Sequence, residues 1–186
     1  MNEFKLVFPE SKQTYQYMDF METEKGTVRQ IVSNLNIALM NPKYCQAKRI
    51  YEGQIFFDEF TKEIKFQGKI VGEKGVHPNQ IRLWDDSLTN RLGLEIEKHF
   101  GLNYNANKMW EAVRFVAGQY SISPPKQFLE RLEWKGDTSA IRKLLPTYLG
   151  AEDTKLNSWV MEHIILGMIK RVFEPAAKFD EMIVFV

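Results

Sequence analysis

The spacing of apolar positions changes along the chain, and the changes mark out its elements. Phe4, Leu6 and Phe8 alternate with other residues, the period of a short strand. Gly26 breaks that region. From Thr27 onward, Val28, Ile31, Leu35 and Leu39 recur at helical spacing. Thr27 is placed to cap this helix, and Asn41-Pro42 to close it. Residues 54–70 return to alternation, with Ile55, Phe56, Phe57 and Phe60 flanking Thr61-Lys62, then Ile64 and Phe66 between charged neighbours, up to Gly68. This predicts a β-hairpin. Its turn lacks Asn-Gly chemistry, which leaves the register open. Residues 71–83 carry two glycines and a proline and read as a connecting loop.

The pattern then turns helical. Asp85 or Asp86 can cap a helix with Leu88, Leu92, Ile96 and Phe100 on its apolar side, and Gly101 suits its C-terminus. Asn107 is read as the cap of a second helix that buries Met109, Val113, Val116 and Tyr120. Ser123-Pro124-Pro125 stops one element and opens another over Lys126–Leu132. A helix over Ser139–Leu149 ends at Gly150. Asp153 or Thr154 caps the longest helix, Lys155–Phe173, which Pro175 ends. It is apolar on most sides, which predicts a central position. The run Met182–Val186 is wholly apolar and reads as a strand of the type found inside sheets. Two readings of it stand: the first strand of a truncated domain, or an edge strand closing a small sheet. The fold class expected is α+β. A small N-terminal α/β part with the hairpin (1–75) precedes a mainly helical region (84–178), followed by the terminal strand (179–186).

Composition narrows the function classes. The 186 residues include 25 Lys and Arg against 24 Asp and Glu, so the formal net charge of +1 argues against a general polycation. Aromatics at 13% suit a globular core. Residues 1–26 hold three basic and five acidic side chains, so they are net acidic. The single cysteine, Cys45, excludes an internal disulfide and an all-cysteine zinc site. A cytoplasmic location is the default expectation. The opening MNEFKLVFPESKQ lacks the pattern of a secretory signal, and no apolar run approaches the ~20 residues of a membrane span.

Several chemistries find no match. There is no G-x-x-x-x-G-K-[ST] phosphate loop, no G-x-S-x-G elbow and no H-E-x-x-H pair. His77, His99 and His163 are far apart and have no ligand-spaced partner, so no metal site or cofactor is expected in this chain. One enzyme-like constellation stands out. Asp58, then Glu63-Ile64-Lys65, flank the hairpin turn, and a carboxylate followed by Glu-x-Lys is the core of many metal-dependent nucleases. Period-two geometry puts Glu63 and Lys65 on one face, which a solvated outer hairpin face explains equally well.

The charge is uneven. Residues 104–148 hold seven basic residues (Lys108, Arg114, Lys126, Arg131, Lys135, Arg142 and Lys143) against four acids, a net of +3. Tyr104, Trp110, Phe115, Tyr120, Phe128, Trp134 and Tyr148 are interleaved among them. Basic side chains bind phosphates and aromatics can stack bases. The two helices near 86–100 and 107–119 allow a helix-turn-helix or winged-helix arrangement, with Asn107, Lys108, Glu111 and Arg114 facing DNA. The aromatics serve a core at least as readily.

Three blocks then carry a resemblance. They are Ser123-Pro124-Pro125-Lys126-Gln127-Phe128-Leu129, Leu132-Glu133-Trp134-Lys135-Gly136 and Leu145-Pro146-Thr147-Tyr148-Leu149-Gly150-Ala151-Glu152-Asp153-Thr154. With Arg171-Val172, Pro175, Lys178, Asp180 and the run Met182–Val186, they resemble the virulence-associated protein E family. These are replication-type P-loop ATPases of phages and pathogenicity islands, similar to superfamily-three helicases. Asn36-Ile37-Ala38-Leu39 and Phe57-Asp58-Glu59-Phe60 resemble weaker blocks of that family, so the likeness spans roughly 30–186. Lys135 stands where the family often has Asp, and Ala176 where it often has Gly. The resemblance implies that Met182–Val186 leads into the phosphate loop, so ATP and Mg²⁺ belong to a domain downstream of this chain. The implied role is an accessory region that engages DNA or positions the motor, without catalysis of its own. An oligomerisation collar is the alternative, with further copies of the same chain as partners in a homo-oligomer. The hairpin nuclease is the remaining one.

Overall fold

The computed structural model describes residues 5–11, 14–133 and 136–180. Lys135, Trp134 and the strand expected over Met182–Val186 lie outside them. The chain is α+β, with a four-stranded sheet, three of whose strands lie in the first half of the sequence, and a series of helices after them. Its contacts divide into two compact units, one of Lys5–Ser123 and one that takes in Pro124–Asp180.

The first unit opens irregularly. Lys5–Glu10 form no strand, contrary to the alternation of Leu6 and Phe8, because Phe8 finds a ring instead of a neighbouring strand: it packs 5.4 Å from Phe56. A single 3-10 turn follows at Thr14–Tyr17. The first helix, α1, spans Val32–Met40, five residues later than the expected cap at Thr27. Val28 bridges to Glu22 instead. Asn34 is what sets this entry. Its amide donates to the Met21 and Arg29 carbonyls and accepts the Met21 N–H, all at 2.8 Å. The buried amide is thereby satisfied and ties residues 21–29 to the helix. Seven consecutive residues of α1, from Asn34 to Met40, are buried, so this short helix is central to the first unit. Asn41 ends it and caps α2 (Pro42–Cys45) by accepting the Lys43 N–H.

The hairpin forms as expected. Strands β1 (Tyr51–Asp58) and β2 (Glu63–Ile70) pair antiparallel from Asp58 opposite Glu63 to Tyr51 opposite Ile70. Asp58 fixes the turn, since its carboxylate accepts the Phe60 and Thr61 N–H groups. Gly53 and Gly68 face each other with φ of 140° and 135°. A Cβ on Gly53 would lie 2.0 Å from the Gln67 carbonyl, so this rung admits only glycine. Residues 71–83 are a loop only in part, because β3 (Ile81–Leu83) pairs with β2. Arg82 clamps that loop with two hydrogen bonds to Glu73, at 2.7 and 3.0 Å.

Helix α3 (Asp86–Phe100) starts at Asp85, whose side chain accepts the Leu88 N–H, and ends at Gly101 with φ 64°. Helix α4 (Ala106–Gln119) is capped by Asn105, two residues before the expected Asn107. A two-residue strand, β4 (Ser121–Ile122), then joins β1 in parallel, giving the order β3-β2-β1-β4. Alternation sends Ile55, Phe66 and Ile70 to one face of the sheet. There they meet Leu92 and Ile96 of α3, Val113 and Val116 of α4, and Leu35 and Leu39 of α1. Burying each of these side chains contributes roughly 1.5–3 kcal/mol. Trp84 closes one end of this core, its indole N–H donating to Thr89 Oγ1 at 2.8 Å.

The second unit is built of short pieces. Helix α5 spans Pro124–Glu130, with proline at the position where a missing N–H costs nothing. The helix expected over Ser139–Leu149 is two, α6 (Ser139–Arg142) and α7 (Leu144–Leu149), because Pro146 can sit only in the first turn of a helix. Gly150 ends α7 in the left-handed conformation, φ 68°. Thr154 caps α8 (Lys155–Phe173) by accepting the Asn157 N–H.

Candidate interaction surfaces

The six described members of the basic group that the sequence brings together fall on both units. Lys108 and Arg114 lie on α4 of the first. Both are exposed, beside Asn107 and Glu111, on the side of α4 away from its buried Met109, Val113 and Val116. Arg114 rests over the Trp110 ring at 5.6 Å, and the Trp110 N–H donates to Asp86 of α3. Trp110 therefore braces the helix pair and packs on the core, so its indole is not a free stacking platform. From Asp85 to Gln119 the pair carries four basic residues against five acidic ones, so its own charge does not favour a polyanion.

The other described candidates belong to the second unit. Lys126 on α5 lies over the Phe173 ring at 5.9 Å. Arg131 follows α5 and is exposed. Arg142 donates to Glu162 of α8 at 2.6 Å, an ion pair that ties α6 to α8. Lys143 is exposed at the α6–α7 junction and makes no ion pair among the described residues. Of these side chains, Lys143 is the one most available to a phosphate.

The hairpin carboxylates are engaged structurally. Asp58 is nearly inaccessible, and Lys65 approaches it at 2.7 Å. Glu63 lies 4.0 Å from the same ammonium and is half exposed. Burial pushes the Asp58 carboxyl up, while Lys65 and the two turn N–H groups pull it down by more, so it stays below its ordinary value. Lys65 thus neutralises a turn-forming carboxylate. Among the described residues no group of three metal-ligating side chains could hold an ion.

What the sequence did not reveal is how open the second unit is. Helix α8 was expected to be central, yet only Met161 and Gly167 along it are buried. Leu156 is 67% exposed, Trp159 59%, Leu166 65% and Met168 59%. Phe128, Leu132, Tyr148 and Leu149 are exposed as well. The pattern was apolar all round, but the helices placed against α8 are too short to cover it. One side is packed: Phe179 lies against Gly167, where a Cβ would be 2.0 Å from its ring, and Arg171 donates to the Phe179 carbonyl at 2.8 Å. His163 stands between Trp159 and Phe179, with ring centroids at 5.2 and 5.5 Å. Exposed apolar side chains in this number set the second unit apart from the first.

Comparison with known proteins bears on this unit. The family model of the virulence-associated protein E-like domain matches residues 129–186. The match begins in α5 and takes in α6, α7 and α8, the segment whose apolar side chains are exposed. No curated protein matches the chain. No helix among the described residues is long and apolar enough to cross a membrane.

Proposed function

We propose that this chain is an accessory region of a replication ATPase of the virulence-associated protein E type, from a phage or mobile element, and that it positions the motor. The observation that carries this reading is the family match over residues 129–186. The exposed apolar side of α8 in the same segment supports a protein contact as the way it acts. ATP and Mg²⁺ would be handled by a P-loop domain, since the 186 residues contain no phosphate-loop sequence. Size-exclusion chromatography of the chain with a separately prepared P-loop domain of that family tests it. A joint peak is expected, and two independent peaks at tens of micromolar would reject the reading.

A second reading is direct DNA contact, favoured by the exposure of Lys108, Arg114, Arg131 and Lys143. Fluorescence anisotropy with single- and double-stranded DNA at low salt measures it. Binding should weaken with log salt at a slope of about −0.9 per neutralised phosphate on duplex DNA. The collar reading differs in its partner: light scattering would then find a homo-oligomer that grows with concentration.

A further inference from the structure

A cavity of about 390 Å³ opens in the first unit where four separate stretches of chain meet. These are the 3-10 turn at Gln16, the α1–α2 junction, the start of β1, and Tyr120 just after α4. Its volume lies within the ~300–1,000 Å³ of small-molecule sites, toward the small end.

Part of the wall is apolar and firm. Leu39, Met40 and Cys45 belong to the main core, and the Tyr51 ring is fixed by its hydroxyl donating to the Leu39 carbonyl. Burial pushes the Cys45 thiol up to about 11, so at neutral pH it is a neutral wall group and not a nucleophile. Tyr120 is half-buried and lines the cavity.

The polar lining is open to solvent. Gln16 donates one N–H to the Ser11 carbonyl and Gln54 one to the Ile55 carbonyl, which leaves both side-chain carbonyls without a partner among the described residues. The Gln46 amide also makes no hydrogen bond there. Glu52, the one acidic residue among the described lining residues, lies 3.3 Å from Lys69. Arg49 makes no ion pair among the described residues, so the cavity carries an available positive charge.

Arg49 also occupies an unusual backbone position. Its φ is 50°, the Ile50 N–H reaches the Cys45 carbonyl at 3.0 Å, and its own N–H reaches Gln46 at 3.0 Å. This is the Schellman end of a helix, at the position where glycine is the unstrained choice. An arginine there costs conformational energy, and strain of this kind collects at binding sites, where the side chain has work to do.

We propose that this cavity binds a nucleoside monophosphate. The base sits against Tyr120 and the apolar part of the wall, its edge hydrogen-bonds to the glutamine amides, and its phosphate pairs with Arg49. An apolar ligand would leave the amides stranded. An inorganic anion would leave the wall unused, and the volume holds one nucleotide and not two.

The test is an NMR titration of the ¹⁵N-labelled full chain with AMP, CMP, GMP and UMP, alongside the matching nucleosides and inorganic phosphate. At least one monophosphate should shift the Gly53, Gln54 and Tyr120 amides saturably. Its nucleoside and phosphate alone should bind at least tenfold more weakly. Arg49→Gly should weaken binding at least tenfold with a Tm no lower than the parent, because glycine relaxes that backbone. Arg49→Asn, which also tolerates the left-handed region, gives the same readout if the glycine variant does not fold. No saturable shift with any monophosphate would overturn the proposal. So would shifts confined to residues away from the cavity, equal affinity for the nucleoside, or binding unaffected in both Arg49 variants.

Discussion

The two units of this chain spend similar residues to different ends. The first lays amphipathic helices on a sheet, and Leu35, Leu39, Phe66, Leu92 and Ile96 reach zero exposure. The second has a longer helix with as apolar a sequence, yet it buries few large side chains, among them Leu145 and Met161. The difference lies in what each helix faces. A four-stranded sheet offers α3 and α4 a broad apolar surface. The helices α5, α6 and α7 offer α8 fragments of four to seven residues. An apolar helix pattern therefore predicts that a surface will be covered without saying by what, and in the second unit we assign that covering to a partner.

The sharpest break of this contrast is a cavity in the first core. Phe66 has no exposure and makes edge contacts to Tyr51 and Trp84, at 6.0 and 5.6 Å. Phe66→Ala should cost about 3–5 kcal/mol in a urea titration. A loss under about 1 kcal/mol would mean that the sheet does not organise this unit.

Asp58→Asn comes next. It leaves the mostly buried Lys65 ammonium with only the more distant Glu63 as counter-charge and should cost about 2–3 kcal/mol. The folded Asp58 pKa is depressed, so its contribution is present above the ordinary carboxylate value of about 4 and fades as pH falls through the folded value. Denaturation curves between pH 6 and pH 2 should show that acid loss in the parent, with a smaller one in Asp58→Asn. Identical pH dependence would remove Asp58 from the account.

The second unit should respond more weakly. Thr154→Ala removes the cap of α8 and should cost about 1 kcal/mol, read as faster amide exchange in the first turn of that helix. Leu166→Ser, at an exposed position, should change stability by no more than about 0.5 kcal/mol. The same substitution should weaken the complex with the P-loop domain, which separates a contact residue from a core residue.

Local signals were legible in the sequence. Asp85, Gly101, Gly150 and Thr154 mark helix ends because each satisfies backbone groups within a few residues of itself. The hairpin was legible from alternation alone. Features set by distant partners were not. The start of α1 depends on Asn34 reaching Met21 and Arg29, and β4 exists only through its pairing with β1. The basic segment 104–148 is continuous in sequence but is divided at Ser123, so Lys108 and Arg114 belong to one unit and Lys143 to the other. The Arg49 cavity draws on four stretches, and no periodicity joins them.

The central claim is that the apolar side of α8 is a contact surface, and hydrogen exchange measures it most directly. The full chain is followed by mass spectrometry alone and with a P-loop domain of the virulence-associated protein E type. Alone, amides of Lys155–Phe173 should exchange faster than those of β1, β2 and α4. With the domain, α8 should slow at least tenfold while the sheet stays unchanged. An α8 already as protected as the sheet in the chain alone, or one that exchanges no more slowly with the domain present, would contradict the account.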